Sequence, residues 1–540
     1  MSISKAISAH PSRYALDHPV EVAEHWLLDR VTAPSRLFGA NGLRTGPDGR
    51  IYIAQVTGSQ ISVLDHRTGQ LDTVSPKGGE IVAPDDVAFD AGGNLYATEV
   101  MDGRVSMLDT GGRTRVLRDD IPSANGITVD RGRLFIGECR EGGRLLELDR
   151  GGGPPRVLLD NVPSPNAMEV GPDGLLYFPV MGANEIWRVD PDGGEPQCVA
   201  RDLGVPDSVK FDSHGYIVST QVASGQVLRI DPRSGEQRLL AQLNPGLDNC
   251  AVVGDLVLVS NFTGEVTEIS SGGQTRTVLP GGLNWPMDLA VGHDGQLYIA
   301  DGTYFYVALP DGSLQTVGML FSPGYPGFLR GVASSGPGEF VVTTSGGQVT
   351  RYRPAATESE VLADGFDQLY GVAVSPSGVI FAELGTGRVL SLWSGNIEVL
   401  ATDLREPVGV AINADGSCLV AEAGAGRVVQ VNGSTTGIVV ADLQRPQGIL
   451  VRDRVLYIVD AGAQEVIAFD LSSSVRHTIA SGLPIGPPPG VAPKPLKGMP
   501  PFSGPQGPFA GIAAADDGTL YVSADGDGSV LALRRSQDGR

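Results

Sequence analysis

Residues 41–76 decide the fold, and they read NGLRTGPDGRIYIAQVTGSQISVLDHRTGQLDTVSP. An apolar segment is followed by a PDG turn, and the strands IYIAQ, ISVLD and QLDTVS follow, separated by glycine-containing turns. Short strands joined by tight DG-type turns are typical of antiparallel hairpins. Four such strands in a unit of about 40 residues match the period of a β-propeller blade. A solenoid is the weaker alternative, because hairpin turns rather than helical crossovers join the strands.

The same pattern recurs along the whole chain. Twelve units begin near residues 41, 85, 125, 166, 207, 248, 287, 330, 370, 408, 447 and 510. A single ring of twelve blades would leave a wide empty channel, and propellers usually have about four to eight blades. We therefore predict an all-β fold of two tandem six-bladed β-propellers with twelve four-stranded blades.

The two ends of the chain predict how the rings close. Residues 20–34, VEVAEHWLLDRVTAP, resemble the outer strand of other units, and the last unit stops after three strands. We therefore expect each ring to close by pairing a first outer strand with its own last blade, which removes exposed sheet edges. The predicted domains are an N-terminal extension at 1–19, propeller 1 at 20–272 and propeller 2 at 273–540.

Two segments depart from the repeat. Residues 483–509 carry ten prolines and cannot form a central strand, so we predict an extended surface loop. A lid, or a strap between rings or protomers, is the alternative. The aromatic segment FSPGYPGF at 321–328 is interpreted as packing between rings, with a partner site as the alternative.

Composition excludes several functional classes. The net charge of −22 disfavours binding to nucleic acid or to an anionic membrane surface. The four cysteines are widely spread without a CxxC pair, so a disulfide framework is not expected. No apolar run is long enough to span a membrane, and residues 1–20 lack a signal-peptide core. We predict a cytoplasmic protein whose partner is a small-molecule substrate; a homo-oligomer stays open.

The residue that opens each unit carries the chemistry. In the first six units this residue is always Asn or Asp: Asn41, Asp85, Asn125, Asn166, Asp207 and Asp248. In the second six units the set is mixed: Met287, Arg330, Tyr370, Val408, Gln447 and Ala510. A ring of amide and carboxylate oxygens suits a hard cation, so Ca²⁺ is the first choice, with Mg²⁺, Mn²⁺ and Zn²⁺ as alternatives. Local turn chemistry is the competing explanation, but it does not account for the contrast between the halves.

The ends of the second strands place further polar residues on the same face. In the first half they are Gln55, Glu99, Glu138, Gln221 and Asn261, and in the second half Asp301, Glu383, Glu422 and Asp460. For the second half we favour a structural role. Glu99 and Glu138 are expected to face an already polar channel. Met101, Met168 and Met181 are candidates for an apolar wall beside it, with core packing as the alternative.

These motifs resemble the gluconolactonase, regucalcin and senescence-marker-protein superfamily of six-bladed propellers, to which strictosidine synthase and the paraoxonases are related. SPNAMEVGPDG at 164 resembles the family motif that places Asn166 as a metal ligand. VPDSVKFDSHG at 205 likewise places Asp207 as a ligand and base, and SANGITVD at 123 places Asn125 beside metal-bound water or substrate. At the first-blade position the family has a glutamate, whereas this chain has Asn41 in GANGL.

The resemblance implies a divalent-metal-dependent hydrolase of a lactone or ester. It implies metal ligands at Asn41, Asn166 and Asp207, and a catalytic role for Asp207 with Glu138 or Glu99. Asn125, Asp85, Asp248 and Gln221 are the predicted substrate-binding residues. Two alternatives remain: a lyase or condensation enzyme using the same channel, and a non-catalytic propeller scaffold.

Overall fold

A computed structural model describes residues 12–14, 19–433 and 435–536. The described residues form twelve antiparallel sheets, eleven of four strands and one in which a short fifth strand, Glu21–Val22, is added. This confirms the predicted fold class of two six-bladed β-propellers. The predicted extension, residues 1–19, lies outside the described residues except for 12–14 and 19.

The turns of each blade follow from short local signals. In blade 1, the backbone N–H of Arg50 donates to Asp48 Oδ1, and Gly49 adopts a φ of 75°. A left-handed residue at this point reverses the chain tightly, which glycine does without steric cost. The apolar residues of neighbouring sheets then meet between blades, as Leu43, Ile51 and Ile53 do in a buried cluster.

The first ring, here called ring one, consists of blades 1–6. Its strands, from innermost to outermost in each blade, are Leu43–Thr45, Ile51–Gln55, Gln60–Asp65 and Gln70–Ser75; Pro84–Phe89, Leu95–Glu99, Arg104–Leu108 and Thr114–Arg118; Ala124–Asp130, Arg133–Glu138, Gly143–Leu148 and Arg156–Val162; Glu169–Val170, Leu176–Val180, Glu185–Val189 and Gln197–Ala200; Lys210–Phe211, Ile217–Thr220, Gln226–Ile230 and Gln237–Gln242; and Leu247–Val253, Leu256–Asn261, Val266–Ile269 and Thr275–Leu279.

The second ring, ring two, consists of blades 7–12. Its strands, in the same order, are Asp288–Val291, Leu297–Asp301, Tyr304–Ala308 and Leu314–Met319; Leu329–Gly336, Glu339–Thr344, Val349–Arg353 and Glu358–Ala363; Leu369–Ser375, Gly378–Glu383, Arg388–Trp393 and Asn396–Ala401; Pro407–Ile412, Cys418–Glu422, Arg427–Asn432 and Thr435–Val440; Pro446–Arg452, Val455–Asp460, Glu465–Asp470 and Arg476–Ser481; and Ile512–Ala514, Leu520–Ala524, Ser529–Arg535 and Trp26–Arg30. Three short 3-10 turns complete the description: Met181–Ala183, Pro354–Ala356 and Ala423–Ala425.

The closing strand belongs to ring two, and the closure predicted for ring one is wrong. Trp26–Arg30 pairs antiparallel with Ser529–Arg535, so it supplies the outermost strand of blade 12. Arg30 Nη1 donates to Asp527 Oδ2 at 2.7 Å within this blade. Ring one needs no strand from elsewhere, because blade 6 is complete and Thr45 Oγ1 of blade 1 donates to Val252 O of blade 6 at 3.0 Å.

The domain boundaries shift accordingly. One compact unit contains residues 1–35, 285–490 and 500–540, and the other contains residues 36–284 and 491–499. The boundaries predicted at 19/20 and 272/273 therefore differ from those of the structure. A cut at 272 would remove Thr275–Leu279, the outermost strand of blade 6.

The proline-rich segment forms no central strand, as predicted, and residues 492–495 are exposed, but other parts of it are packed rather than lying free on the surface. In the unit of ring two, Arg330 Nη1 donates to Gly507 O at 2.9 Å, and the Tyr370 and Phe509 rings lie 6.0 Å apart. Residues 491–499 belong to the unit of ring one, where Lys497 Nζ lies 3.5 Å from Asp102 Oδ1.

The aromatic segment 321–328 packs within ring two. Tyr325 stands edge-on to Tyr352, with ring centroids 5.8 Å apart, and its hydroxyl donates to Gly302 O. Phe321 lies 5.8 Å from Phe502 of the proline-rich segment. No helix among the described residues is long and apolar enough to cross a membrane.

Candidate functional site

The six opening residues of ring one lie where its innermost strands begin, and together they define what we call the mouth. Five of them are buried polar groups: Asp85, Asn125, Asn166, Asp207 and Asp248. In blades 2, 3 and 6 the strand register shifts directly after the opening residue. A bulge of this kind redirects a side chain out of the regular alternation of the strand. In these three blades the Asn or Asp is therefore placed by a local irregularity of the strand.

Side-chain interactions link the openings of four of the six blades. Asn166 Nδ2 of blade 4 donates to Asp207 Oδ2 of blade 5 at 2.9 Å. Asn41 Nδ2 of blade 1 donates to Asp248 Oδ2 of blade 6 at 2.9 Å. The carboxyl groups of Asp207 and Asp248 affect each other's pKa. The mouth thus brings two acids of neighbouring blades together.

The pKa values of the three acids are raised. Burial is the largest cause for Asp207, followed by the charge of Asp86, and the pKa reaches about 7 although Asp248, Lys210 and Asn166 act in the opposite direction. The pKa values of Asp85 and Asp248 lie well above the ordinary range, again through burial and then through the charge of Asp207. Burial and neighbouring acids both disfavour the charged form of a carboxyl group. The raised pKa values therefore indicate that positive charge near the mouth does not compensate for these two effects.

The residues next to these side chains include two sulfur atoms and a polar atom without a hydrogen-bond partner. Asn166 Nδ2 also lies 3.0 Å from Met181 Sδ, which in turn lies 3.8 Å from Cys139 Sγ. Burial raises the pKa of the Cys139 thiol well above its usual range, and the charges of the mouth acids add to this. Asn125 Oδ1 is buried without a hydrogen-bond partner. The mouth therefore contains a hydrogen-bond acceptor without a partner, as well as acidic side chains that positive charge does not fully compensate.

The acidic side chains alone do not establish the predicted metal site. Within residues 12–14, 19–433 and 435–536, no group of three or more His, Cys, Asp or Glu side chains is arranged to hold a metal ion. Moreover, the amide nitrogens of Asn41 and Asn166 face Asp248 and Asp207, while their oxygens accept backbone N–H groups. Any cation at the mouth would need asparagine oxygens in addition to carboxylates.

Glu99 and Glu138 have a different environment from the predicted one. Glu99 Oε2 accepts the backbone N–H of Val82 at 2.6 Å and pairs with Arg104. Glu138 is fully buried and pairs with Arg144 and, at 3.0 Å, with Arg140. These contacts occupy both carboxylates, so the structure does not support the predicted catalytic role of either glutamate.

Other residues at the ends of the second strands also have structural contacts. Gln221 Oε1 accepts the N–H of Gly204 at 3.0 Å, so the predicted substrate contact of Gln221 is not supported either. In each such case the side chain caps the segment that precedes the innermost strand of the same blade. The same bond is made by Gln55 to Phe38, Asp301 to Trp285, Glu383 to Asp367, Glu422 to Arg405 and Asp460 to Gln444. The position is a structural cap in both rings, which confirms the interpretation made for ring two.

Three charged channel residues were missed by the sequence reasoning. Arg44, Glu169 and Lys210 each stand three positions after an opening residue, in innermost strands that are otherwise mainly apolar. Arg44 Nη1 lies 3.6 Å from Glu169 Oε2, and Lys210 Nζ lies 3.9 Å from the same oxygen. The sequence signal for them is a charged residue three positions after the opening residue, in a strand that is otherwise mainly apolar.

The corresponding opening positions of ring two form no comparable polar site. Arg330 is fully buried beneath the proline-rich segment, with its guanidinium 4.6 Å from the centroid of the Tyr370 ring. Gln447 Oε1 accepts the N–H of Ala510 at 2.6 Å. Protein groups of the same ring therefore use the polar side chains at this position.

Comparison with known families places the first half of the chain. Residues 30–255 match the family model described as SMP-30/Gluconolactonase/LRE-like region. The match covers the opening residues of all six blades of ring one, including Asn166 and Asp207. Among curated proteins, nothing matches the chain.

Similar solved structures include three that each cover about half of this chain. Virginiamycin B lyase from Staphylococcus aureus is 15% identical, with a TM-score of 0.38, over 54% of this chain and 98% of that one. A calcium-binding protein, regucalcin, from Agrobacterium tumefaciens is 19% identical, with a TM-score of 0.35, over 43% and 84%. A chain of a nidogen/laminin complex is 19% identical, with a TM-score of 0.39, over 43% and 93%.

Proposed function

We propose that ring one is a hydrolase that opens a lactone or ester of a small organic molecule at its mouth. The observation that carries this proposal is the contact chain Asn166–Asp207–Asp248–Asn41, in which buried acids with raised pKa values meet. Titratable groups shifted by burial and by one another are typical of catalytic sites. The match of residues 30–255 to the SMP-30/gluconolactonase/LRE-like model supports the choice of reaction.

Asp207 is the proposed general base. With a pKa of about 7, it is partly ionised at neutral pH and can take a proton from an attacking water. The water oxygen then bonds to the carbonyl carbon, the carbon–oxygen bond to the leaving group breaks, and the proton passes to the leaving oxygen. Asp248, whose pKa is raised well above its usual range by burial and by the charge of Asp207, stands beside this base and accepts a hydrogen bond from Asn41.

The oxygen donors of the mouth would suit a divalent cation, with Ca²⁺ as the first choice, if the amides of Asn41 and Asn166 turned towards it the oxygens that accept backbone N–H groups in this structure. The donors are hard oxygens, and Asn125 Oδ1 is a buried acceptor without a partner. Asp207, Asn166 and Asn41 would hold the cation, with Asn125 beside them. When bound, such a cation polarises a substrate carbonyl and lowers the pKa of water. Asp85 and Asp248 would then contact the substrate.

The test is a panel of lactones and simple esters, assayed with the full chain before and after treatment with a chelator. Metal content is measured by elemental analysis of the same preparations. The proposal predicts bound divalent metal and turnover that falls on chelation and returns with Ca²⁺. Tight metal without hydrolysis would favour a lyase or condensation reaction at the same mouth. Absence of both metal and turnover would favour a non-catalytic scaffold.

A further inference from the structure

A second cavity lies in ring one, at the other end of the innermost strands from the mouth. It has a volume of about 370 Å³, and Arg44, Glu169 and Lys210 are among its lining residues. Ser213 and Gly254, in the turns that follow two innermost strands, are exposed and also line it. The cavity, here called the lower chamber, therefore reaches the protein surface on the side of these turns.

The lower chamber contains polar atoms whose hydrogen-bonding capacity is not used. Lys210 is only 3% exposed, and its ammonium group has no hydrogen-bond partner. Glu169 Oε2 is likewise buried without one, because the distances of 3.6 Å to Arg44 and 3.9 Å to Lys210 are too long for hydrogen bonds. Buried polar groups are normally paired, so such a cluster needs an explanation.

The inventory of donors and acceptors indicates what is missing. Arg44 uses Nε and Nη2 on the carbonyls of Val87 and Ile127, which leaves Nη1 directed towards Glu169. Lysine carries three N–H donors and no acceptor, and each terminal guanidinium nitrogen carries two donors. The chamber thus has several unused donors against a single unpaired carboxylate oxygen. A ligand rich in acceptor oxygens, with one hydroxyl to donate, would satisfy both sides.

The carboxylates around the chamber leave little excess positive charge, which argues for a ligand of low negative charge. Asp86 Oδ2 lies 4.0 Å from Arg44 Nη2 and accepts the backbone N–H of Ile127, so one carboxylate already faces the guanidinium. Asp212, which also lines the chamber, is paired with Arg229. Burial and the charge of Arg44 lower the pKa of Lys210, although the charges of Asp86 and Glu169 act in the opposite direction.

We propose that the lower chamber is a second ligand site that binds a small hydroxycarboxylate. Its carboxylate would accept hydrogen bonds from Lys210 Nζ and Arg44 Nη1, and its hydroxyl would donate to Glu169 Oε2. Charge-assisted bonds of this type are the strong ones in proteins. The inference does not depend on hydrolysis at the mouth, since none of these three side chains belongs to the mouth.

The experiment is isothermal titration of the full chain with glycolate, in the presence of a chelator so that no divalent metal contributes. Acetate, which lacks the hydroxyl, glycolamide, which lacks the charge, and inorganic phosphate are titrated in parallel. We expect glycolate to bind at least about fivefold more tightly than each of the three, because each loses a hydrogen bond or fits the charge poorly.

Variants locate the site. Lys210→Met keeps the apolar stem and should weaken glycolate binding by about tenfold or more. Glu169→Ala should bring the affinities of glycolate and acetate together, because the partner of the hydroxyl is removed. Lys497→Met changes a largely exposed lysine of the same unit and should leave glycolate binding unchanged.

Several results would overturn the proposal. One is the absence of any heat up to about 20 mM glycolate, a concentration above the range of weak specific sites, which would mean that the chamber holds only water. Another is equal binding of phosphate and glycolate by the unmodified protein. A third is wild-type affinity in a folded Lys210→Met protein. If Lys210→Met does not fold, the ligand series on the unmodified protein and on Glu169→Ala decides.

Discussion

Asn166 Nδ2 donates to Asp207 Oδ2 across 2.9 Å, joining the openings of two consecutive blades that are 41 residues apart in sequence. The two residues occupy the same position in successive repeats, so the repeat itself creates the contact. Asp248 of blade 6 likewise accepts a hydrogen bond from Asn41 of blade 1, so each of these two acids is held by an asparagine of a neighbouring blade. The closed ring thereby keeps together acids that would repel one another in an open chain.

The pH dependence of stability should reveal the raised pKa of Asp207. This pKa is about 7 in the folded protein, above the ordinary value of 3.8, so the folded state binds the proton more tightly. The stabilisation is therefore present at low pH and is lost as pH rises towards about 7. Asp207→Asn should raise the melting temperature of the metal-free protein at pH 8 more than at pH 5. Thermal denaturation of both proteins with chelator measures this.

The result would contradict this account if Asp207→Asn shifted the melting temperature equally at both pH values. Asn166→Ala serves as the control, because it removes a hydrogen bond to Asp207 without removing a titratable group. It should raise the pKa of Asp207 further and steepen the loss of stability with pH.

Ring one should fold alone when it is cut at the correct boundaries. A fragment of residues 36–284 contains all four strands of each of its six blades, whereas a fragment of residues 1–272 lacks Thr275–Leu279. We expect cooperative thermal unfolding from the first fragment. The second should be far less stable, because blade 6 loses its outermost strand and Trp26–Arg30 loses its partner. A folded 1–272 fragment beside an unfolded 36–284 fragment would refute the observed closure.

Glu138 should affect stability but not chemistry. Its buried carboxylate pairs with Arg144 and Arg140, so Glu138→Gln should lower the stability by about 1 to 3 kcal/mol. Glu422→Gln, which breaks the corresponding pair with Arg427 in ring two, is the matched control and should have a similar effect. Denaturant unfolding and turnover per folded molecule are the measurements. A large fall in turnover for Glu138→Gln alone would restore its catalytic role.

The packing of the proline-rich segment should depend on Arg330. The guanidinium binds the carbonyls of Pro505 and Gly507, so Arg330→Ala should free residues 500–509 for cleavage by proteases. Limited proteolysis followed by mass spectrometry would locate the cuts. Turnover at ring one should stay unchanged, since none of the affected contacts involves its mouth. Unaltered resistance of the segment to cleavage would show that other contacts hold it.

The sequence was sufficient to predict the twelve blades and the opening residues, because both depend on local repeats of turns and strands. It was not sufficient for the closing strand. The outer strands of all blades look alike, and only the pairing of Arg30 with Asp527 and the register with Ser529–Arg535 select blade 12. Such long-range complementarity leaves no periodic signal.

The same distinction applies to the site. Asn166 and Asp207 were predicted because they interrupt an apolar pattern at a fixed position. The sequence predicts that Glu99 faces the channel, because the second strand of each blade ends on the same face as the opening residues. In the structure its carboxylate instead accepts a backbone N–H group, as those of Glu383 and Glu422 do in ring two. Lys210 gives no comparable signal, because its strand, Lys210–Phe211, is too short to show a periodic pattern.

The central claim is that the mouth of ring one is an active site in which Asp207 is the base. Its most direct test is the turnover of the best lactone or ester substrate by Asp207→Asn, with Arg330→Ala, at the corresponding opening in ring two, as the control. Loss of a general base should reduce kcat by at least about a hundredfold, while Arg330→Ala retains full activity. Calcium titration of the same proteins should show weaker binding only in Asp207→Asn. Wild-type turnover and wild-type calcium affinity in a folded Asp207→Asn protein would contradict the account.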